Sequence, residues 1–158
     1  MEVVTLDEAG KMQLLELWKP VLSLSKANTL EANLGSCHEW FKVVDEENIR
    51  AIFEIRRVPL NGARYIKSML LDFAPDLDIN PEGQSFKEAS ETLKYAIEVL
   101  GYIFSHLLSN DTKCFKIHNE HSMVRMFFFS FAEYLAKRYP EEYDVAFYGN
   151  WLEITAKK

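Results

Sequence analysis

Cysteine is scarce in this chain: Cys37 and Cys114 are the only two among 158 residues. Two thiols are too few for a disulfide framework or a four-cysteine zinc ribbon. The expectation for both is a free, buried thiol in a reducing compartment. Long apolar runs are missing too. No stretch approaches the roughly 20 residues that a membrane-spanning helix needs. The N-terminus, Met1-Glu2-Val3-Val4-Thr5-Leu6-Asp7, lacks the basic segment and apolar run of a secretion signal. A cytoplasmic location with no membrane partner is the resulting expectation. Positive charge is in deficit, with 18 Lys and Arg against 24 Asp and Glu and a net charge of -6. That field repels a polyanion such as duplex DNA, so nucleic acid is not an expected partner. Internal repeats, low-complexity tracts and linkers are absent, and the length suits a single domain over 1–158. No complete catalytic motif occurs.

What the chain has in quantity is aromatic surface: 11 Phe, 7 Tyr and 3 Trp. Val3 to Leu6 reads as a short strand and Asp7 as the N-cap of a helix. Met12, Leu14, Leu15, Leu17, Trp18, Val21 and Leu22 recur at helical spacing until Pro20 breaks the pattern near Lys19. Asn28-Thr29-Leu30-Glu31 carries a capping-box acid and marks a second helix start, with Gly35 as its stop. Trp40–Val44 and Ile49–Arg57 read as strands, the second with one buried and one wet face. Arg64–Phe73 reads as a third, unbroken strand. Ser85 and Glu88 form a capping box ahead of a long amphipathic helix that ends at Asn110-Asp111. Phe115–His118 is a strand, and a helix from His121 or Ser122 to Pro140 follows. Tyr143–Tyr148 and Trp151–Ala156 close the chain as a hairpin around Gly149-Asn150.

Several clusters could carry chemistry. His118-Asn119-Glu120-His121 offers bases or ligands where a strand hands over to a helix, but the two histidines lack the i, i+4 spacing of a helical zinc site. Asp76-x-Asp78-x-Asn80 opens like a calcium loop, yet Pro81 stands where that loop needs glycine. No metal site is expected. Cys37-His38 are neighbours whose side chains need not meet on a strand. Arg50, Arg56, Arg57, Arg64 and Lys67 lie along the three strands as a basic strip or as solvated strand faces. On the helix after residue 121, Val124, Phe128, Phe131 and Leu135 share one face. Met126 and Phe129 fall off it and, with Tyr148 and Trp151, are candidates for an apolar interface.

The order of elements is strand, one or two helices, three-strand meander, long helix, strand, helix, terminal hairpin. It resembles the GCN5-related N-acetyltransferase (GNAT) fold over nearly the whole chain, in topology and length rather than in motif. The resemblance implies an α+β domain: a twisted, mixed, mostly antiparallel sheet flanked by helices. It also implies acetyl-CoA, held by the fourth strand and the basic, glycine-rich loop after it. Here the cofactor contacts would fall on Leu71, Phe73, Ser85 and Asn119. Residues 72–85, however, contain one glycine, two prolines, four carboxylates and no Lys or Arg. Each carboxylate near a pyrophosphate costs about 1 kcal/mol, and the helix dipole at Ser85 returns no more than about 1 kcal/mol. Acetyl-CoA is therefore disfavoured. The family often places a tyrosine early in the helix after the fifth strand, as acid to the departing thiolate. This chain has Arg125, Met126, Phe127 and Phe128 there, and Tyr134 lies two turns further on. Two functions remain open. One is a divergent, non-catalytic binding or interaction module of unspecified ligand, forming a homodimer or taking a protein partner. The alternative is an acyl-CoA-dependent N-acyltransferase in which Glu54 or His118 deprotonates an amine.

Overall fold

The computed structural model describes residues 1–60, 63–77, 86–109, 112–118 and 122–157. Strand β1 (Glu2–Thr5) leads into helix α1 (Glu8–Trp18), and the Asp7 carboxylate accepts the Gly10 N–H at 2.8 Å as the N-cap. Pro20 turns the end of α1 into a single 3₁₀ turn over Lys19–Val21. Helix α2 (Leu24–Leu34) begins before the expected Asn28 start. Its cap is Ser23, whose Oγ accepts the Lys26 N–H at 3.3 Å.

Strands β2 (Glu39–Asp45) and β3 (Asn48–Leu60) form a hairpin with β1 on the outer side of β2. Its two-residue turn holds Glu46 and Glu47 at φ of 48° and 69°. A side chain in this left-handed region costs about 1–2 kcal/mol, and Asn-Gly is the pair such turns favour. Replacing Glu46-Glu47 by Asn-Gly is expected to stabilise the protein by about 1–2 kcal/mol. An unchanged urea midpoint would contradict the turn geometry. Asp45, at the entrance of the turn, accepts from Lys94 Nζ at 2.8 Å and Tyr95 Oη at 2.9 Å. These hydrogen bonds hold its carboxyl below the usual range. The stabilisation is present at neutral pH and is lost as the pH falls through the acid range.

The third strand of the meander is not continuous. Strand β4 (Ala63–Ser68) pairs with the outer half of β3, from Arg56↔Lys67 to Leu60↔Ala63. Strand β5 (Leu71–Phe73) pairs with its inner half, from Phe53↔Leu71 to Ala51↔Phe73. Between them Ser68–Leu70 face only Glu54 and Ile55, and the Glu54 N–H reaches the Leu70 carbonyl at 3.2 Å. One extra residue in a ladder is a β-bulge, which bends the strand and redirects it.

Helix α3 (Phe86–Leu108) is followed by β6 (Cys114–His118), α4 (Ser122–Arg138), β7 (Tyr143–Tyr148) and β8 (Trp151–Ala156). Gly149 takes a φ of 57° in the terminal hairpin turn, the position where glycine is favoured. Ser85 and the side chain of Glu88, the expected capping pair, lie outside what is described, as do Asn110 and Asp111. The sheet runs β1-β2-β3-β4-β6-β8-β7, with β5 beside β3 and the β4–β6 pair parallel.

Helix α3 packs on one face of the sheet, where Tyr102 meets Phe41 and Phe53 at ring centroids 5.0 and 5.8 Å away. Helix α4 covers the same face further along, with Phe129 edge-on to Phe147. On the other face, α1 lies over β2: the ideal Cβ position at Gly10 is 4.0 Å from the Lys42 ammonium. This double cover confines the partly wet face of β3 to Arg50 and Arg56, because Ala51, Ile52, Phe53, Glu54 and Ile55 are all buried. Cys37, expected to be buried, is exposed. Among the described residues no helix is long and apolar enough to cross a membrane.

Candidate functional site

The bulge at Ser68–Leu70 positions the site. Strand β6 pairs with β4 only from Tyr65↔Cys114 to Ser68↔Ile117. Beyond Ser68 the chain follows β3 as β5, while β6 continues along β8 to His118↔Trp151. The two central parallel strands therefore part, leaving a cleft whose apex is Ser68. Among the described residues, two polar atoms near this apex are buried without a hydrogen-bond partner: Ser68 Oγ and Glu54 Oε2. Such orphaned groups are uncommon in a folded interior and point to a place where something else is received.

Glu54 is 0% exposed, and its other oxygen accepts from Arg56 Nε at 2.8 Å. His118 stands on the opposite side of the cleft with its ring 4.8 Å from that of Trp151. Glu54 and His118 face the same side of the sheet, but β4 separates their strands. Two strand spacings put them roughly 10 Å apart across the sheet, too far for a shared proton. Leu71 and Phe73 lie opposite Phe53 and Ala51, on the α3 face, so their side chains enter the core. Only the edge of β5 faces the cleft. Ser85 and Asn119 lie outside the described residues. Cys114, half-buried, has its thiol pushed up chiefly by burial, which makes it a poor nucleophile.

The basic strip resolves into separate parts. Arg50 forms a two-pronged pair with Asp76 at 3.1 and 2.9 Å, and Arg57 pairs with Glu39 at 2.8 Å. Arg56 and Lys67 remain on the face beside the cleft, in register with each other. The structure adds members that sequence reading missed. Lys116 is in register with Lys67, and Glu153 is in register with Lys116. Past the reach of α1 and α2 this face also carries Tyr65, Tyr148 and Trp151. No signal within any one strand could have joined residues 56, 67, 116 and 153, because only the strand register brings them together.

The four apolar interface candidates do not share a surface. Met126 and Phe129 project from α4, 71% and 47% exposed. Tyr148 and Trp151 pair on the open sheet face, where Tyr148 Oη donates to Glu153 Oε2 at 3.0 Å. Away from the cleft, the C-terminal halves of α3 and α4 enclose an apolar groove of about 490 Å³ lined by Phe104, Phe127, Phe131 and Tyr134. This groove explains why Phe131 is only partly buried although it lies on the inner helical face.

A mixed sheet that splits between two parallel strands, with helices on both faces, is a twisted α+β architecture. No family model matches the chain, and no curated protein matches its sequence. Solved structures match its fold. A GNAT-family acetyltransferase from Staphylococcus aureus Mu50 matches over 99% of this chain and 99% of its own, with a TM-score of 0.50 and 10% identity. Tetrahymena GCN5 matches over 97% of this chain and 94% of its own, with a TM-score of 0.47 and 14% identity. A conserved protein of unknown function from Enterococcus faecalis V583, described as a probable N-acyltransferase, matches over 83% of this chain with a TM-score of 0.43 and 12% identity; the chain spans 31% of that protein's length. The chain has the GNAT fold.

Proposed function

We propose that this chain is a divergent, non-catalytic binding module built on the GNAT fold. The sealing of Glu54 carries the reading. The carboxylate expected as the base, Glu54, is completely buried, and one of its oxygens is held by Arg56. A substrate amine has no open route to it in this conformation. Helix α4 adds support. Through its first two turns it offers no phenol: Phe128 is buried, and Arg125 Nη1 donates to Asn150 Oδ1. On this reading the protein works in the cytoplasm with a second copy or another protein, and Met126, Phe129, Tyr148 and Trp151 are the candidate contacts.

One observation favours the second reading, an acyl-CoA-dependent N-acyltransferase. Strands β5 and β6 do not pair, and among the described residues Glu54 Oε2 lacks a hydrogen-bond partner. In that case Leu71 and Phe73 would contribute main-chain contacts to the cofactor, with Ser85 and Asn119 at its ends, and Glu54 or His118 would act as base. Thermal shift with acetyl-CoA and a thiol-release assay with an amine panel separate the two. A ligand at 100 times its Kd stabilises by about 2.7 kcal/mol. In a protein of this size that raises Tm by about 5–11 °C. The expected result is a shift below about 1 °C at millimolar acetyl-CoA and no thiol release. Thiol release that Glu54→Gln abolishes would establish the enzyme instead.

A further inference from the structure

We infer that the open face of the sheet is an anion site centred on Lys67 and shaped for a small phosphate-bearing ligand. This inference rests on the binding-module reading and names the chemistry of its ligand. Arg56, Lys67 and Lys116 occupy one row across the adjacent strands β3, β4 and β6, each in register with the next. Registered residues share a face, and adjacent strands lie about 4.8 Å apart. Three positive charges are thus set across roughly 10 Å, an arrangement that like-charge repulsion penalises.

The two outer members are compensated. Arg56 Nε donates to Glu54 at 2.8 Å, and Lys116 Nζ pairs with Glu153 at 3.2 Å. The central one is not. Among the described residues Lys67 meets no carboxylate, and its ammonium rests 4.8 Å above the centre of the Trp151 ring. In a chain of net charge -6, this local positive stripe runs against the overall field. The contact with Trp151 offsets part of the repulsion but supplies no counter-charge. An anion bound at Lys67 turns the repulsion into attraction.

Phosphate fits the donors. Two ammonium groups act as compact charges and one guanidinium offers a planar fork, a set suited to a multiply charged, oxygen-rich group. Tyr65 lies under the Lys116 ammonium at 5.3 Å, and His118 lies against Trp151 at 4.8 Å, so flat apolar surface flanks the charges. A cationic amine would be repelled from the same face.

The test uses the full chain with inorganic pyrophosphate at constant ionic strength, followed by calorimetric titration and by Tm. Wild type is expected to gain several degrees in millimolar pyrophosphate. Lys67→Met is expected to bind at least tenfold more weakly. Lys137→Met, on the exposed face of α4, is the control and should bind as wild type does. The inference is overturned if wild type and Lys67→Met respond equally or if pyrophosphate has no effect. Binding of a single-stranded oligonucleotide without binding of pyrophosphate also overturns it, in favour of nucleic acid. The same variant keeps the two proposals apart. An acetyl-CoA shift that survives Lys67→Met belongs to the cleft and counts against the non-catalytic reading alone; one that disappears belongs to the open face.

Discussion

Phe53→Ala is expected to destabilise the protein by about 3–5 kcal/mol, the usual range for emptying a buried aromatic site. Phe53 is 0% exposed and sits in β3 against two rings, Phe41 stacked at 5.4 Å and Tyr102 edge-on at 5.8 Å. Its ring joins the sheet to α3 where β3 also receives β5 through Phe53↔Leu71. The substitution removes transfer energy, leaves a cavity that a two-layer contact cannot collapse into, and breaks aromatic pairs worth about 0.5–1.5 kcal/mol beyond area. For a chain of this length the loss corresponds to a Tm lower by about 6–20 °C. Urea unfolding should show a reduced midpoint with an unchanged slope. Phe129→Ala is the matched control: Phe129 is 47% exposed and touches one ring, that of Phe147. A cost below 1 kcal/mol at Phe53, or equal costs at the two sites, would be incompatible with this core.

That core was partly legible in the sequence, and the limits have physical causes. Asp7 and Pro20 act through their own backbone neighbourhood, so their effects on α1 could be read locally. The start of α2 was misplaced because the real cap, Ser23, has Lys26 rather than an acid three residues on. Asn28 and Glu31 imitate a capping box inside the helix. The alternation in β3 identified the face of Ala51, Phe53 and Ile55. It could not reveal that α1 and α2, from elsewhere in the chain, would bury Ile52 and Glu54 as well. The bulge carries no glycine or proline to announce it. Ser68-Met69-Leu70-Leu71 reads as an ordinary apolar strand, and only pairing with β3 shows the extra residue. The cleft depends on that bulge. The order of elements therefore indicated the fold, whereas the site waited for register. Glu54 and His118 were found by type and place in the topology. The row from Arg56 to Lys116 spans residues far apart in sequence and exists only across strands.

Arg56→Ala tests the same region by a different route and is expected to cost about 3 kcal/mol or more. Arg56 is 31% exposed at its side chain, but its partner Glu54 is sealed, with one oxygen on Arg56 Nε and the other without a partner. Removing the guanidinium leaves a buried carboxylate with no counter-charge, which is far more costly than losing a surface pair. Replacing both residues by methionine removes the charge along with its partner, so the double variant should lie within about 1 kcal/mol of wild type. With Arg56→Met and Glu54→Met as the single variants, the expected double-mutant cycle shows a large coupling, with the single Arg56→Met the least stable of the set. Additive effects, or a cost below 1 kcal/mol for Arg56→Ala, would mean that water or a proton reaches Glu54 in the native state. A carboxylate reachable by a proton beside an intact cleft could also serve as a base, so that outcome would weaken the observation behind the non-catalytic reading and strengthen the acyltransferase. A large coupling would instead make Glu54 a charge built to hold Arg56 at the end of the cationic row, leaving Lys67, among the described residues, as the cation of that row without a carboxylate.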